Sequence, residues 1–186
     1  MNRRILAASW GIALAAWTLT PAASAQSIIK HPGDHPAYGF EAEPHLSLGY
    51  YGGVGPGFRG TVVLLDNGFI SSINNSIGIG FGADWLFYGD GCHHHNGVDS
   101  CGTYSDLMLP LVMQWNFWLH PHWSVFGEPG VTFHVRTGHA DHFDVAPFVI
   151  YAGGRYHFND SVALTIRLGS PFFFDNAISI GASFLL

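Results

Sequence analysis

The clearest signal in the chain is strict alternation of apolar and small or polar positions from Ser76 to Tyr88. One parity reads Ile77, Ile79, Phe81, Ala83, Trp85, Phe87. The other reads Ser76, Gly78, Gly80, Gly82, Asp84, Leu86, Tyr88. A period of two is the mark of a strand whose two faces meet different surroundings. The run is longer than most strands of soluble domains and long enough to cross a bilayer at a tilt.

Seven further segments repeat the pattern, over 45–52, 58–66, 105–119, 123–136, 144–158, 161–169 and 177–186. Their apolar parity includes Leu46, Leu48 and Tyr50, then Phe58, Val62 and Leu64. It continues through the Leu107–Leu119 series, Val131, Phe133 and Val135, then Ala146, Phe148 and Ile150. Val162, Leu164 and Ile166, then Ile178, Ile180 and Phe184, complete it. The opposite parity carries Arg59, Thr61, Gln114, Asn116, Ser124, Glu128, His134, Arg136, Tyr151, Arg155, Thr165 and Arg167. No stretch of this region shows a 3.6-residue stripe. Pro110, Pro129 and Pro147 fall inside proposed strands and predict bulges or breaks, because proline brings no ladder donor.

The connections alternate in length. His120-Pro121-His122 and Asn159-Asp160 read as tight turns, whereas Gly89 to Thr103 reads as a long loop. Asn67 to Asn75 is long for the tight-turn side and is expected as a turn or helical piece closing the barrel floor. Eight strands, with short turns on one side and longer loops on the other, predict an all-β, up-and-down antiparallel transmembrane barrel.

Composition strengthens this reading. Hydrophobic residues make up 48% of the 186, charged residues only 11%, and mean hydropathy is +0.21. A soluble domain carries about 25% charged residues. The only long apolar run, Ile5 to Leu19, follows Asn2-Arg3-Arg4 and precedes Ala23-Ser24-Ala25. That is the layout of a secretory signal peptide over residues 1–25, with cleavage expected after Ala25. No second run is long enough for a membrane helix, so a closed barrel is the remaining way to span. Residues 26–42, with Pro32, Gly33, Pro36 and Gly39, are expected as a flexible periplasmic leader, and 43–186 as the barrel. Beyond residue 25 the only basic side chains are Lys30, Arg59, Arg136, Arg155 and Arg167, against 13 acidic residues. That balance excludes a nucleic-acid partner.

On these features the sequence resembles the small eight-stranded bacterial outer-membrane β-barrel proteins, over roughly 43–186. The resemblance rests on the signal peptide, the Ser76–Tyr88 strand and the alternating terminal strand Ala177–Leu186. It departs at the last residue, Leu186, where such proteins typically end in an aromatic. It implies the outer membrane as location, membrane lipid as surroundings and a monomer. It does not fix a function, because members include adhesion and resistance proteins, anchors, small pores and lipid A-modifying enzymes.

Several constellations are candidates for chemistry. Arg59, Asp84, Glu128, Arg155 and Arg167 fall on the inward parity of five strands and are expected to meet as a buried ion-pair network that plugs the lumen. Cys92 and Cys101, the only cysteines, are expected to form a disulfide closing the Gly89–Thr103 loop in an oxidising compartment. His93, His94 and His95 are the candidate metal ligands, although adjacent residues seldom aim three rings at one ion; His139 and His142 beside Asp141 form a second histidine cluster. No G-x-S-x-G occurs, and Phe133-His134-Val135-Arg136 has Arg where a lipid-facing His-x-Ser pair would need Ser. The expectation is therefore a non-enzymatic protein without cofactor, with a structural or surface-interaction role. A narrow, porin-like channel is the alternative, followed by a lipid A-modifying enzyme or a soluble lipocalin-like binder.

Overall fold

A computed structural model describes residues 27–89, 93–95, 98–100, 102–138, 141–169 and 176–186. Its strands are β1 (Phe40–Gly49), β2 (Val54–Leu65), β3 (Asn75–Gly89), β4 (His93–His95), β5 (Val98–Ser100), β6 (Thr103–His120), β7 (Trp123–Thr137), β8 (His142–Asn159), β9 (Val162–Leu168) and β10 (Asn176–Leu185). Eight of them close into one antiparallel barrel in the order β1-β2-β3-β6-β7-β8-β9-β10, with β10 returning to β1. The short β4 and β5 pair separately. Each chain segment pairs with its sequence neighbour, and the seam joins the first strand to the last. The expected all-β, eight-stranded up-and-down barrel is the observed fold.

The start of β1 meets Leu186 at one end of the barrel, where Phe40 N donates to Leu186 O at 3.1 Å and Leu186 N donates to Phe40 O at 2.8 Å. The two-residue turns 121–122 and 160–161 lie at this terminal end. The turn 50–53 and the strand ends Gly89, Thr103, Thr137, His142, Leu168 and Asn176 lie at the opposite, loop end.

Alternation sorts the side chains into two populations. Leu46, Leu64, Phe81, Trp85, Leu111, Phe148, Ile150, Ile166, Ile180 and Phe184 are exposed on the outside. Glu41, Glu43, Arg59, Thr61, Asp84, Gln114, Glu128, Arg155, Thr165 and Arg167 are buried inside. This inverts the pattern of a water-soluble barrel.

Prolines mark where the ladders thin. The β3–β6 pairing skips Leu109 and Pro110, and the β6–β7 pairing skips Glu128 and Pro129, both without a change of register. At Pro147 the register does shift, because Gly130 faces Val149 and Thr132 faces Ala146. The extra residue is a β-bulge, and it inverts facing on its N-terminal side. Ala146, expected on the outer face, therefore packs inward against Val112, Val149 and Tyr151.

The segment ahead of the barrel also differs from a free leader. Phe40 already opens β1, and Ile28 is buried with Trp118 and Leu185. His35 stacks on Trp118 with ring centroids 5.0 Å apart and planes 9° apart. The Asn74 side chain holds this stretch, meeting His35 Nδ1 at 2.6 Å and donating to Asp34 O at 2.9 Å. Burial pushes the Tyr38 phenol above its ordinary range. Residues 27–38 thus lie across the terminal end as a stopper.

The connection 66–74 contains no helix. It wraps around Asn75, whose Nδ2 donates to Ile70 O and Ile73 O and whose Oδ1 accepts from Trp115 Nε1.

Candidate functional site, the lumen and its loop-end mouth

The lumen is built in layers. Nearest the stopper, Ser124 Oγ lies 2.8 Å from His157 Nε2, with Trp118 against the imidazole at 4.7 Å between centroids. Serine and histidine at this distance suggest a nucleophile and its base. Both are nevertheless buried beneath the stopper, and His157 Nδ1 has no partner that would orient the ring. The pair is therefore closed to solvent in this structure.

In the next layer Arg155 Nη2 meets Glu41 Oε1 at 2.8 Å, and Arg155 Nη1 donates to Asn116 Oδ1. Ser183 Oγ donates to Glu41 Oε1 at 2.7 Å, and the Arg155 guanidinium lies 4.2 Å from the Phe126 ring centroid. Above it, Arg167 grips two carboxylates at once. Its Nη1 and Nη2 donate to Glu43 Oε1 and Oε2 at 2.6 and 2.8 Å, and its Nε donates to Glu128 Oε2 at 3.0 Å. Gln114 Nε2 supplies a further donor to Glu128 Oε1 at 2.8 Å, and Asn116 Nδ2 in turn donates to Gln114 Oε1 at 3.0 Å.

A further layer centres on Asp84. Its Oδ1 lies 2.6 Å from His45 Nε2 and accepts from Ser47 Oγ, while Arg59 Nη2 stands 3.9 Å from Oδ2. Arg59 also faces the Tyr151 ring at 5.2 Å, and its three guanidinium nitrogens have no hydrogen-bond partner. It is the least satisfied of the lumen cations.

The five charges picked out by parity therefore do enter the lumen, where further residues share their contacts. Glu128 pairs with Arg167 and Asp84 stands near Arg59, whereas Arg155 pairs with Glu41. The carboxylates Glu41 and Glu43, and His45 beside them, were not among the expected network. They belong to the run Glu41, Glu43, His45, Ser47 on one parity of β1, a polar alternation that was legible had the strand been started at Phe40 rather than after Pro44.

At the loop end Asp106 Oδ2 accepts from Arg136 Nε at 2.9 Å and lies 3.2 Å from His134 Nδ1. Tyr88 and Tyr104 stack beside them, centroids 4.6 Å apart and planes 2° apart. A cavity of about 330 Å³ opens here, lined by Tyr51, Tyr88, Tyr104, Asp106 and Arg136.

The expected Cys92–Cys101 disulfide lies outside the described residues. The backbone of His93, His94 and His95 forms β4, but their side chains also lie outside the description, as does His139. Among the described residues no group of three or more His, Cys, Asp or Glu is arranged to hold a metal ion.

Searches of protein-family models and of curated proteins return no match to this sequence.

Proposed function

We propose that this chain is a monomeric outer-membrane β-barrel whose role is structural or surface-interacting, with a sealed lumen and the 89–103 loop carried on the outer side. One observation carries the reading: large apolar side chains cover the outside of the barrel while charged and hydrogen-bonded side chains fill its inside. Exposed apolar area on that scale is unfavourable in water, and it is the surface a bilayer requires. Strands of 10 to 18 residues in seven of the eight barrel positions are long enough to cross, against the 9–11 a tilted strand needs. Cleavage after Ala25 and a Cys92–Cys101 disulfide belong to the same proposal.

The layered ion pairs favour a plug over a pore. Arg59 on β2 reaches Tyr151 on the opposite strand β8, and residues 27–38 cover the terminal end of the lumen. The test is membrane fractionation combined with gel mobility of heated and unheated samples. Recovery in the outer-membrane fraction with a heat-dependent mobility shift is expected, and N-terminal sequencing should begin at Gln26. A protein recovered soluble from the periplasm overturns the reading. Planar-bilayer recordings are expected to show no steady conductance.

A further inference from the structure

We propose that the loop-end mouth is a binding site for a neutral hexopyranose, held by the tyrosines and by Asp106. Three observations converge. The cavity, about 330 Å³, lies within the size range of small-ligand sites. Its walls offer aromatic rings: Tyr51 is 68% exposed, and Tyr88 and Tyr104 are stacked side by side. Gly53 keeps this platform open, since a Cβ there would stand 2.4 Å from Tyr88 Cε1. The third observation is polar. Asp106 is only 4% exposed, lines the cavity, and its Oδ1 has no hydrogen-bond partner.

A buried carboxylate oxygen without a donor is costly, and a small turn of Asp106 that opens Oδ1 to the cavity lets a ligand's O–H remove the cost. The ligand's charge follows from the neighbours. Arg136 and His134 already occupy Asp106 Oδ2, which disfavours a second cation, and the bare Oδ1 repels an anion. What remains is a neutral molecule with hydroxyl donors and an apolar face to lay on a tyrosine ring. A hexopyranose has both: its axial C–H groups meet the positive-edge-seeking face of an aromatic ring, and its hydroxyls both donate and accept. Such a ring reaches the mouth from the cell's own lipopolysaccharide core or from a free glycan.

The experiment uses the chain lacking residues 1–25, refolded in detergent micelles. Saturation-transfer NMR and calorimetry are run with methyl glucoside, galactose, N-acetylglucosamine and a purified lipopolysaccharide core oligosaccharide, with choline and inorganic phosphate as charged comparators. Saturable binding of a hexopyranose is expected, weakened about tenfold by Asp106→Asn, the loss of one hydrogen bond to a charged acceptor. Tyr51→Ala is expected to weaken it too, at a ring that is 68% exposed. Tighter binding of the core oligosaccharide than of the free sugars, or the reverse, identifies the source. No saturable sugar binding into the millimolar range, binding unmoved by either variant, or binding of choline or phosphate instead overturns the proposal.

Discussion

Arg167 and Glu43 form a two-pronged ion pair inside the barrel although 124 positions separate them in sequence. Arg167 stands on β9 and Glu43 on β1, with β10 between them. The guanidinium fork matches the carboxylate in a way that a lysine point charge would not. The third donor, Nε, is left for Glu128, so one cation ties together three strands.

That geometry makes Glu128 sensitive to truncation. Glu128→Ala removes one of two counter-charges from a fully buried guanidinium and leaves Gln114 Nε2 without its acceptor. Breaking a buried pair on one side costs about 3–5 kcal/mol. The urea midpoint of the barrel in lipid vesicles should fall accordingly, and an unchanged midpoint would remove the ion pair from the stability of the fold.

The outer face gives an independent test of the membrane reading. Leu111 is 48% exposed in the middle of β6. In a bilayer Leu111→Arg should destabilise the barrel by about 2–4 kcal/mol, the cost of arginine on the lipid face near the midplane. A surface leucine in water would tolerate the same change within about 0.5 kcal/mol. Reversible unfolding from vesicles separates the two outcomes.

Two glycines form a matched pair. A Cβ on Gly55 would sit 1.7 Å from the Trp85 carbonyl oxygen, which belongs to the neighbouring strand's backbone and cannot swing aside. A Cβ on Gly154 meets only Ser124 O, at 3.7 Å. Gly55→Ala should therefore reduce the yield of the folded, heat-modifiable form sharply, and Gly154→Ala should not. Equal yields would place β2 and β3 further apart than described.

The stopper can be tested through Trp118, which is 1% exposed beneath His35 and Ile28. In a chain lacking residues 1–25, with Trp85, Trp115 and Trp123 replaced by Phe, deletion of residues 27–38 should make the remaining fluorescence more quenchable by acrylamide. Quenching that stays the same would mean that other residues seal the terminal end.

Most of the barrel was legible because a period of two survives everything except a bulge. The eight expected segments fall on the eight barrel strands, and parity put Arg59, Asp84, Glu128, Arg155 and Arg167 inside. It failed where the period breaks. Ala146 was placed outside because Pro147 and Phe148 insert a residue that no alternation count reveals. Glu41 falls in the expected leader, and Glu43 outside the first expected strand, because Pro44 and the proline-rich stretch before it look like a linker. The Asp106 cluster was harder still. His134 and Arg136 were legible as inward, but their convergence on one carboxylate depends on β6–β7 register, which sequence alone does not give.

The seam between β1 and β10 determines when the chain can become a barrel. Leu186, the final residue, exchanges backbone hydrogen bonds with Phe40, the first residue of β1. Across the same junction Ser183 reaches Glu41, and Arg155 and Arg167 find Glu41 and Glu43. Before the seam closes, Glu41 and Glu43 stand apart from Arg155 and Arg167, whereas Asp84 already meets His45 on the first three strands and Asp106 on β6 meets Arg136 on the neighbouring β7. For Glu41 and Glu43, closure and charge neutralisation become a single event that waits for the last strand. A chain truncated before β10 would keep its alternation and lose the step that makes alternation useful.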